Sequence, residues 1–134
     1  MSGYMFPGQG SQKIGMGEEL FDTFSSYTKI ASEILGYDIK KLCLEEEKKL
    51  NQTQYTQPAL YTVNCMSFLD KNIPLPKVVL GHSLGEYSAL FAAEVFDFQT
   101  GLKLVKKRGE LMSQAKGGSM AAIVGVSSDK IKDI

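Results

Sequence analysis

Residues 81–85 read GHSLG and fit the pattern Gly-x-Ser-x-Gly, in which a serine is presented as a nucleophile. The serine of this pattern lies on a sharp turn between a strand and a helix, so its hydroxyl projects from the carboxyl end of the strand. The backbone N–H of Leu84 and the positive end of the following helix then point to the same place as the Ser83 hydroxyl. The segment therefore predicts a nucleophile elbow with Ser83 as the nucleophile.

The residues on either side predict the elements that would hold this serine. Residues 78–80 (VVL) are typical of a short strand, and residues 90–93 (LFAA) continue into an apolar helical pattern. Glycine is needed at both ends of the motif because side chains there would collide with the neighbouring elements. Ser83 and Glu86 also match a capping box at the start of a helix, so a capping serine is the alternative.

A glycine-rich loop follows a first predicted strand at residues 4–6 (YMF), which Pro7 ends. Residues 7–12 (PGQGSQ) do not close with Gly-Lys-Ser/Thr, and Lys13 stands where the dinucleotide-binding pattern has its third glycine. These differences disfavour nucleotide binding. A loop whose backbone amides approach a ligand and a plain turn both remain open from the sequence.

The rest of the chain predicts mainly helices. Residues 18–44 carry apolar side chains three and four apart, typical of short amphipathic helices, and Gly36 is a predicted helix end. The charge run at residues 45–49 is predicted to be a solvated surface segment. A buried helix is predicted with Pro58 in its first turn and its end near residues 71–72. A second helix is predicted from its cap at Asp97 to residues 117–118. A strand at residues 120–126 and a helix capped by Ser127 follow.

Composition excludes several classes of protein. The chain has 134 residues with 43% hydrophobic and 22% charged content, ordinary for one globular domain. Fifteen basic residues balance fifteen acidic ones, which gives no electrostatic case for nucleic acid or an anionic membrane as partner. Cys43 and Cys65 lack zinc-site spacing, so we expect free thiols and no metal. Without a signal-peptide pattern or the ~20 apolar residues of a membrane span, we expect a cytoplasmic protein.

Four segments, taken together and in order, resemble malonyl-CoA:acyl carrier protein transacylases. They are residues 6–12 (FPGQGSQ), 56–60 (TQPAL), 81–87 (GHSLGEY) and 107–112 (KRGELM). Residues 4–6, 89–93 and 95–98 are especially similar to the discrete acyltransferases that serve polyketide synthases in trans. The resemblance covers essentially the whole chain. It implies an α/β fold of three layers with a mainly parallel sheet and a hydrolase-like nucleophile elbow, in an enzyme of polyketide or fatty acid synthesis.

The resemblance also implies a role for each candidate site residue. Ser83 would take a malonyl group from coenzyme A as an ester and pass it to the phosphopantetheine thiol of an acyl carrier protein. The backbone amides of Gln9 and Leu84 would form the oxyanion hole, and Arg108 would bind the malonyl carboxylate. The alternative for Arg108 is a surface arginine near Glu110. Coenzyme A would enter as a thioester substrate, with no permanently bound cofactor.

The chain departs from the family in its histidine. Family members activate the serine with a histidine far downstream, beyond a small ferredoxin-like subdomain, whereas the only histidine here is His82. Neighbouring residues that leave a strand point to opposite faces, so His82 is expected to be an elbow residue near the site and not the base for Ser83. We therefore expect residues 1–118 to be the N-terminal part of the large subdomain and residues 119–134 to begin the small one.

On this interpretation the chain alone is inactive or impaired and needs a C-terminal continuation or a complementing chain. Two other functions remain open. An α/β-hydrolase esterase also uses Gly-His-Ser-x-Gly, although the loop with Gln9 and the later Arg108 argue against it. A non-catalytic fragment that binds acyl-CoA or carrier protein is the other.

Overall fold

The computed structural model describes residues 3–71, 74, 76–118 and 123–131. Within these ranges the chain forms two strands and eight helices. They are β1 (Gly3–Phe6), α1 (Glu18–Thr23), α2 (Ser25–Leu35), α3 (Ile39–Glu45), α4 (Glu47–Leu50), α5 (Thr53–Asp70), β2 (Val78–Gly81), α6 (Gly85–Ala92), α7 (Phe98–Gln114) and α8 (Ser128–Ile131). Five helices therefore separate the two strands along the chain.

The two strands pair in parallel and end at the same edge of the sheet. Their register pairs Gly3 with Val78 and Phe6 with Gly81. The carboxyl ends of β1 and β2 therefore bring the glycine-rich loop and the turn at Ser83 side by side. The predicted α/β class with a parallel sheet is confirmed at this level, with a two-stranded sheet among the described residues.

The two faces of this sheet differ in burial. Tyr4, Phe6 and Val79 pack on one face against a small apolar cluster from α5 and α6. Met5 and Leu80, which are partners in the register, lie on the other face and are 74% and 52% exposed. Parallel sheets are usually covered on both faces. The described elements cover only one.

The core of the chain lies around α5 and α7. The Tyr61 ring stacks on Phe98 with centroids 5.6 Å apart, and its hydroxyl donates to the Phe98 carbonyl at 3.3 Å. A Cβ at Gly101 would lie 2.1 Å from the Tyr61 hydroxyl oxygen, so glycine permits the close approach of the two helices here. This contact fixes the two helices whose side chains reach the candidate site.

The predicted position of Pro58 in a first helical turn is wrong, because α5 begins at Thr53 and Pro58 lies inside it. The Gln52 carbonyl accepts from the amides of Tyr55 and Thr56 at 2.8 and 2.9 Å, which builds a helical turn before the proline. The Thr56 hydroxyl also donates to the Leu50 carbonyl at 2.6 Å. These local hydrogen bonds extend the helix beyond its sequence signal, and it ends at Asp70, close to the predicted end.

The predicted short helices between residues 18 and 44 are confirmed as α1, α2 and α3, and Gly36 ends α2 with a left-handed φ of 82°. The charge run at residues 45–49 lies at the surface as predicted, with Glu45, Glu47 and Lys48 exposed. Lys49 is half-buried, with its Nζ 5.1 Å from the ring centroids of both Tyr37 and Tyr55. The Lys49 Nζ also donates to Glu46 Oε2 at 3.1 Å. These cation–π contacts hold the Lys49 ammonium group against two aromatic rings, which the charge pattern does not predict.

The last described segments confirm one prediction and correct another. Asp97 caps α7 by accepting from the Thr100 amide at 2.7 Å, and the helix ends at Gln114, just before the predicted residues 117–118. Of the predicted strand at 120–126, residues 120–122 lie outside the described residues and 123–126 form no strand. Val124 is 88% exposed, and no described strand lies beside it to supply a hydrogen-bond ladder. The helix α8 then starts at Ser128, directly after the predicted cap at Ser127.

Candidate active site

The turn between β2 and α6 has the geometry of a nucleophile elbow. β2 ends at Gly81, α6 begins at Gly85, and Ser83 between them has a φ of +54°. A left-handed conformation costs an L-residue roughly 1–2 kcal/mol, so the surrounding structure must hold Ser83 in place. The predicted order of strand, strained turn and helix is confirmed.

Close packing of three glycines holds this turn. A Cβ at Gly81 would lie 2.0 Å from the Gly85 carbonyl carbon, and one at Gly85 would lie 2.2 Å from the Phe6 carbonyl oxygen. A Cβ at Gly8 would lie 2.4 Å from the His82 carbonyl oxygen. The elbow, β1 and the glycine-rich loop therefore touch backbone to backbone, as the collision argument from the sequence predicts.

The Ser83 hydroxyl is exposed and does not cap the helix. The N-cap position of α6 is Leu84, and no side chain accepts a capping hydrogen bond there. The Ser83 Oγ instead accepts from Nη2 of Arg108 at 3.1 Å. The capping alternative for Ser83 is therefore not what the structure shows.

Arg108 reaches the serine from the middle of α7. Its Nη1 donates to the side-chain oxygen of Gln57, and its guanidinium carbon lies 5.8 Å from the centroid of the Tyr87 ring. The side chain is half-buried. It is thus a fixed cation facing Ser83, which disfavours the alternative of a surface arginine near Glu110.

The glycine-rich loop joins the same group of residues through Gln9. The Gln9 Oε1 accepts from Gln57 Nε2 at 2.9 Å, and the Gln9 Nε2 donates to the Thr53 hydroxyl at 3.2 Å. Nearby, Asn64 donates to the Pro7 carbonyl at 3.2 Å. Contacts from α5 therefore hold the loop against the elbow, so it is more than a plain turn.

The backbone amides of Gln9 and Leu84 are the predicted oxyanion donors. No described residue accepts a hydrogen bond from either N–H group. Leu84 lies at the start of α6, where the helix dipole adds positive potential. The assignment of these two amides to an oxyanion hole remains a prediction.

His82 contacts the loop and not the nucleophile. Its amide donates to the Phe6 carbonyl at 3.0 Å and its carbonyl accepts from the Gly85 amide at 2.9 Å. Its Nδ1 lies 3.1 Å from where a Cβ on Gly8 would stand, so the ring packs over that glycine. Within the described ranges no side chain accepts a proton from the Ser83 hydroxyl through a hydrogen bond. The structure thus places the Ser83 hydroxyl beside the Arg108 cation, and His82 makes no hydrogen bond to that hydroxyl.

Three polar residues of α5 were not assigned a role from the sequence, and all belong to this group. They are Thr53, Gln57 and Asn64. Gln57 and Asn64 are seven positions apart and therefore lie on one helix face. Two side-chain amides two turns apart on one face of the helix are the signal that could have found Gln57 and Asn64.

Other chemistry-bearing groups are buried away from the site. Cys43 and Cys65 are free and buried, and burial raises the pKa of the Cys43 thiol to about 12 and that of Cys65 further. Neither thiol is a nucleophile near neutral pH. In the described part of the chain, no cluster of three or more histidine, cysteine or acidic side chains has metal-site geometry. Nor does any helix there combine the length and apolar character needed to cross a membrane.

Known proteins resemble this chain in both sequence and structure. The chain is 60% identical over 132 residues to the polyketide biosynthesis malonyl CoA-acyl carrier protein transacylase PksC of Bacillus subtilis, covering 96% of this chain and 46% of that protein. It is 58% identical to the corresponding protein BaeC of Bacillus velezensis, covering 97% of this chain and again 46% of the relative. The chain therefore spans less than half the length of these curated relatives.

A crystal structure of malonyl CoA-acyl carrier protein transacylase from Burkholderia pseudomallei superposes with a TM-score of 0.94 at 52% identity. The superposition covers 98% of this chain and 47% of that one. The family described as acyl transferase domain matches residues 3–133. The resemblance to malonyl-CoA:acyl carrier protein transacylases is thus confirmed, and the chain belongs to the acyl transferase domain family.

Proposed function

We propose that this chain carries the acyl-accepting serine of a malonyl-CoA:acyl carrier protein transacylase that serves polyketide or fatty acid synthesis. The observation behind the proposal is the 3.1 Å hydrogen bond from Arg108 Nη2 to Ser83 Oγ. A malonyl group is short, so a guanidinium beside the nucleophile can bind its carboxylate while its thioester carbonyl lies at the serine. The relatives named as malonyl-CoA transacylases support the same substrate and the same acceptor.

The reaction would run in two steps through a seryl ester. Ser83 Oγ attacks the thioester carbonyl carbon, its proton passes to a base, the C–S bond breaks and coenzyme A leaves as the thiol. The phosphopantetheine thiol of the carrier protein then attacks the ester, and Ser83 regains a proton. The amides of Gln9 and Leu84 would stabilise the oxyanion in both steps, each by on the order of 3 kcal/mol.

We further propose that the base and the remaining strands come from residues outside those described. Two observations support this: His82 does not contact Ser83, and the relatives are more than twice as long as the match to this chain. The exposed face of the sheet at Met5 and Leu80 would then be the face that a third layer covers. Residues 1–118 would belong to the large subdomain, with 119–134 beginning the small one.

Intact-mass spectrometry of the chain incubated with malonyl-CoA tests the nucleophile. Free imidazole is added as an external base, because no described side chain takes the Ser83 proton. We expect the mass to increase by one malonyl group in the wild type and in the control Ser113→Ala, an exposed serine of α7, but not in Ser83→Ala. Malonyl attached to Ser83→Ala, or none attached to the wild type, would overturn the proposal.

The same reaction mixture distinguishes a transferase from an esterase. Addition of a phosphopantetheinylated acyl carrier protein should remove the ester from the chain and add malonyl to the carrier. An ester that instead goes to water at the same rate with and without the carrier protein would show a hydrolase.

A further inference from the structure

Gln57 is a fully buried polar residue whose side chain contacts two residues of the site at once. Its relative exposure is 0%. Its Nε2 donates to Gln9 Oε1 at 2.9 Å, and its Oε1 accepts from Arg108 Nη1. One amide in the core thus joins the glycine-rich loop that carries the Gln9 amide to the cation that faces Ser83.

The direction of these hydrogen bonds is fixed by chemistry. Arginine has only donors, so Gln57 must present its oxygen to Arg108 and its NH2 group to Gln9. Gln9 must then accept with its oxygen, which turns its own NH2 group to the Thr53 hydroxyl at 3.2 Å. The donor-only guanidinium of Arg108 therefore fixes the direction of each hydrogen bond as far as Thr53.

The backbone that carries Gln57 packs closely against α7. A Cβ added at Gly109 would lie 3.3 Å from the Gln57 Cβ and 3.2 Å from the Gln54 Cα. The α7 backbone next to Arg108 therefore lies directly on the α5 backbone at Gln57. Close-packed backbones transmit the position of one side chain to the other with little freedom.

We infer that Gln57 is a positioning residue that sets acyl-group selectivity by holding the Arg108 guanidinium in place over Ser83 while fixing the Gln9 loop. The inference rests on the proposed function, in which Arg108 binds the malonyl carboxylate. Gln57 occupies Nη1 with a neutral acceptor, so the cation keeps its net charge and its remaining N–H groups for the substrate carboxylate. A carboxylate at position 57 would hold the arginine equally well and cancel that charge.

The test compares the dissociation constants of malonyl-CoA and acetyl-CoA by titration calorimetry for the wild-type chain, Gln57→Glu and Gln57→Met. Gln57→Glu keeps an acceptor for Arg108, neutralises it and removes the donor to Gln9, so we expect the preference for malonyl-CoA to fall about tenfold or more. Gln57→Met, of similar length, removes both bonds, and we expect a smaller fall of about threefold.

Thr62→Val is the matched control. Thr62 is also fully buried on α5, but its hydroxyl donates only within the helix, to the Pro58 carbonyl at 2.8 Å. We expect this variant to change thermal stability without changing the ratio of the two dissociation constants. If Gln57 had only a structural role, its variants would behave in the same way, which would overturn the inference.

A double variant shows whether Gln57 acts through Arg108. In an Arg108→Met background, Gln57→Glu should change the ratio of dissociation constants no further, because the cation that it would neutralise is absent. A second, independent fall in the ratio would contradict the inference. If the wild-type chain itself binds both thioesters equally, the proposed function fails; if it discriminates and Gln57→Glu discriminates equally, only the Gln57 inference fails.

Discussion

Replacing Arg108 by methionine gives a quantitative test of the carboxylate site. The substitution keeps an unbranched side chain of similar reach and removes the charge that lies 3.1 Å from the Ser83 hydroxyl. A hydrogen bond to a charged group contributes about 1.5–3 kcal/mol. We therefore expect the dissociation constant of malonyl-CoA to rise about 10- to 150-fold, and that of acetyl-CoA, which lacks the carboxylate, to rise less than about threefold.

The same substitution has a cost in stability that can be separated from binding. Arg108→Met leaves the buried oxygen of Gln57 without its donor. An unsatisfied buried polar group costs about 1–3 kcal/mol, so the free energy of unfolding should fall by that amount in urea titrations. Binding is therefore measured at a temperature where both proteins are fully folded.

Calorimetric titration with the two thioesters gives the ratio, and Lys107→Met is the control. Lys107 is the exposed neighbour of Arg108 on α7, so its replacement removes the same charge without removing a site contact. Screening makes this loss small for both ligands. Equal weakening of malonyl-CoA and acetyl-CoA in Arg108→Met, or the same ratio in both variants, would refute the carboxylate role.

Four further substitutions and one change of pH test the fold and the turn that holds Ser83. Glu94 follows α6 with a φ of +58°, a conformation that favours glycine. Glu94→Gly should therefore raise the free energy of unfolding by about 0.5–1 kcal/mol. A decrease measured in urea titrations would contradict this. Gly36→Ala, at a φ of 82° with nothing within 4 Å of its added Cβ, should lower it by about 1 kcal/mol, and an unchanged midpoint would show that the backbone relaxes. Burial raises the pKa of Cys43 from 9.0 to about 12, so this thiol ionises at lower pH in the unfolded chain than in the folded one. The free energy of unfolding should therefore fall as pH rises above about 9, by up to about 1.4 kcal/mol per pH unit for this thiol. Cys43→Val should show a shallower decline, and an equal decline would exclude the thiol as a cause. In Gly8→Ala the added Cβ would lie 2.4 Å from the His82 carbonyl oxygen. The free energy of unfolding should fall by about 1–3 kcal/mol, and the seryl ester should form more slowly in the mass assay. Ester formation at the wild-type rate would refute the close-approach argument.

The elements that depend on short-range chemistry could be predicted from the sequence. The elbow depends on glycines within five positions of one another, and its strand, turn and helix are found as predicted. Asp97 as a helix cap and Gly36 as a helix end depend on their own backbone and a few neighbours, and both are confirmed. The physical reason is that each of these signals acts over one or two turns of chain.

Features that depend on distant contacts were predicted poorly. The partial burial of Lys49 depends on the rings of Tyr37 and Tyr55, which both lie outside α4. The proximity of Arg108 to Ser83 was expected only through the family resemblance. The role of Gln57 needed the packing of α7 on α5, which no local pattern records.

The parallel pairing of β1 with β2 has a consequence for the order in which the chain unfolds. The two four-residue strands are separated along the chain by a long helical segment, so their pairing closes a large loop. Closing that loop costs conformational entropy, so the pairing forms late in folding. One sheet face is open, so few buried contacts oppose its separation. In hydrogen exchange the amides at the turn around Ser83 should therefore lose protection while those of α5 and α7 keep theirs. The turn should unfold at a lower denaturant concentration than the two helices.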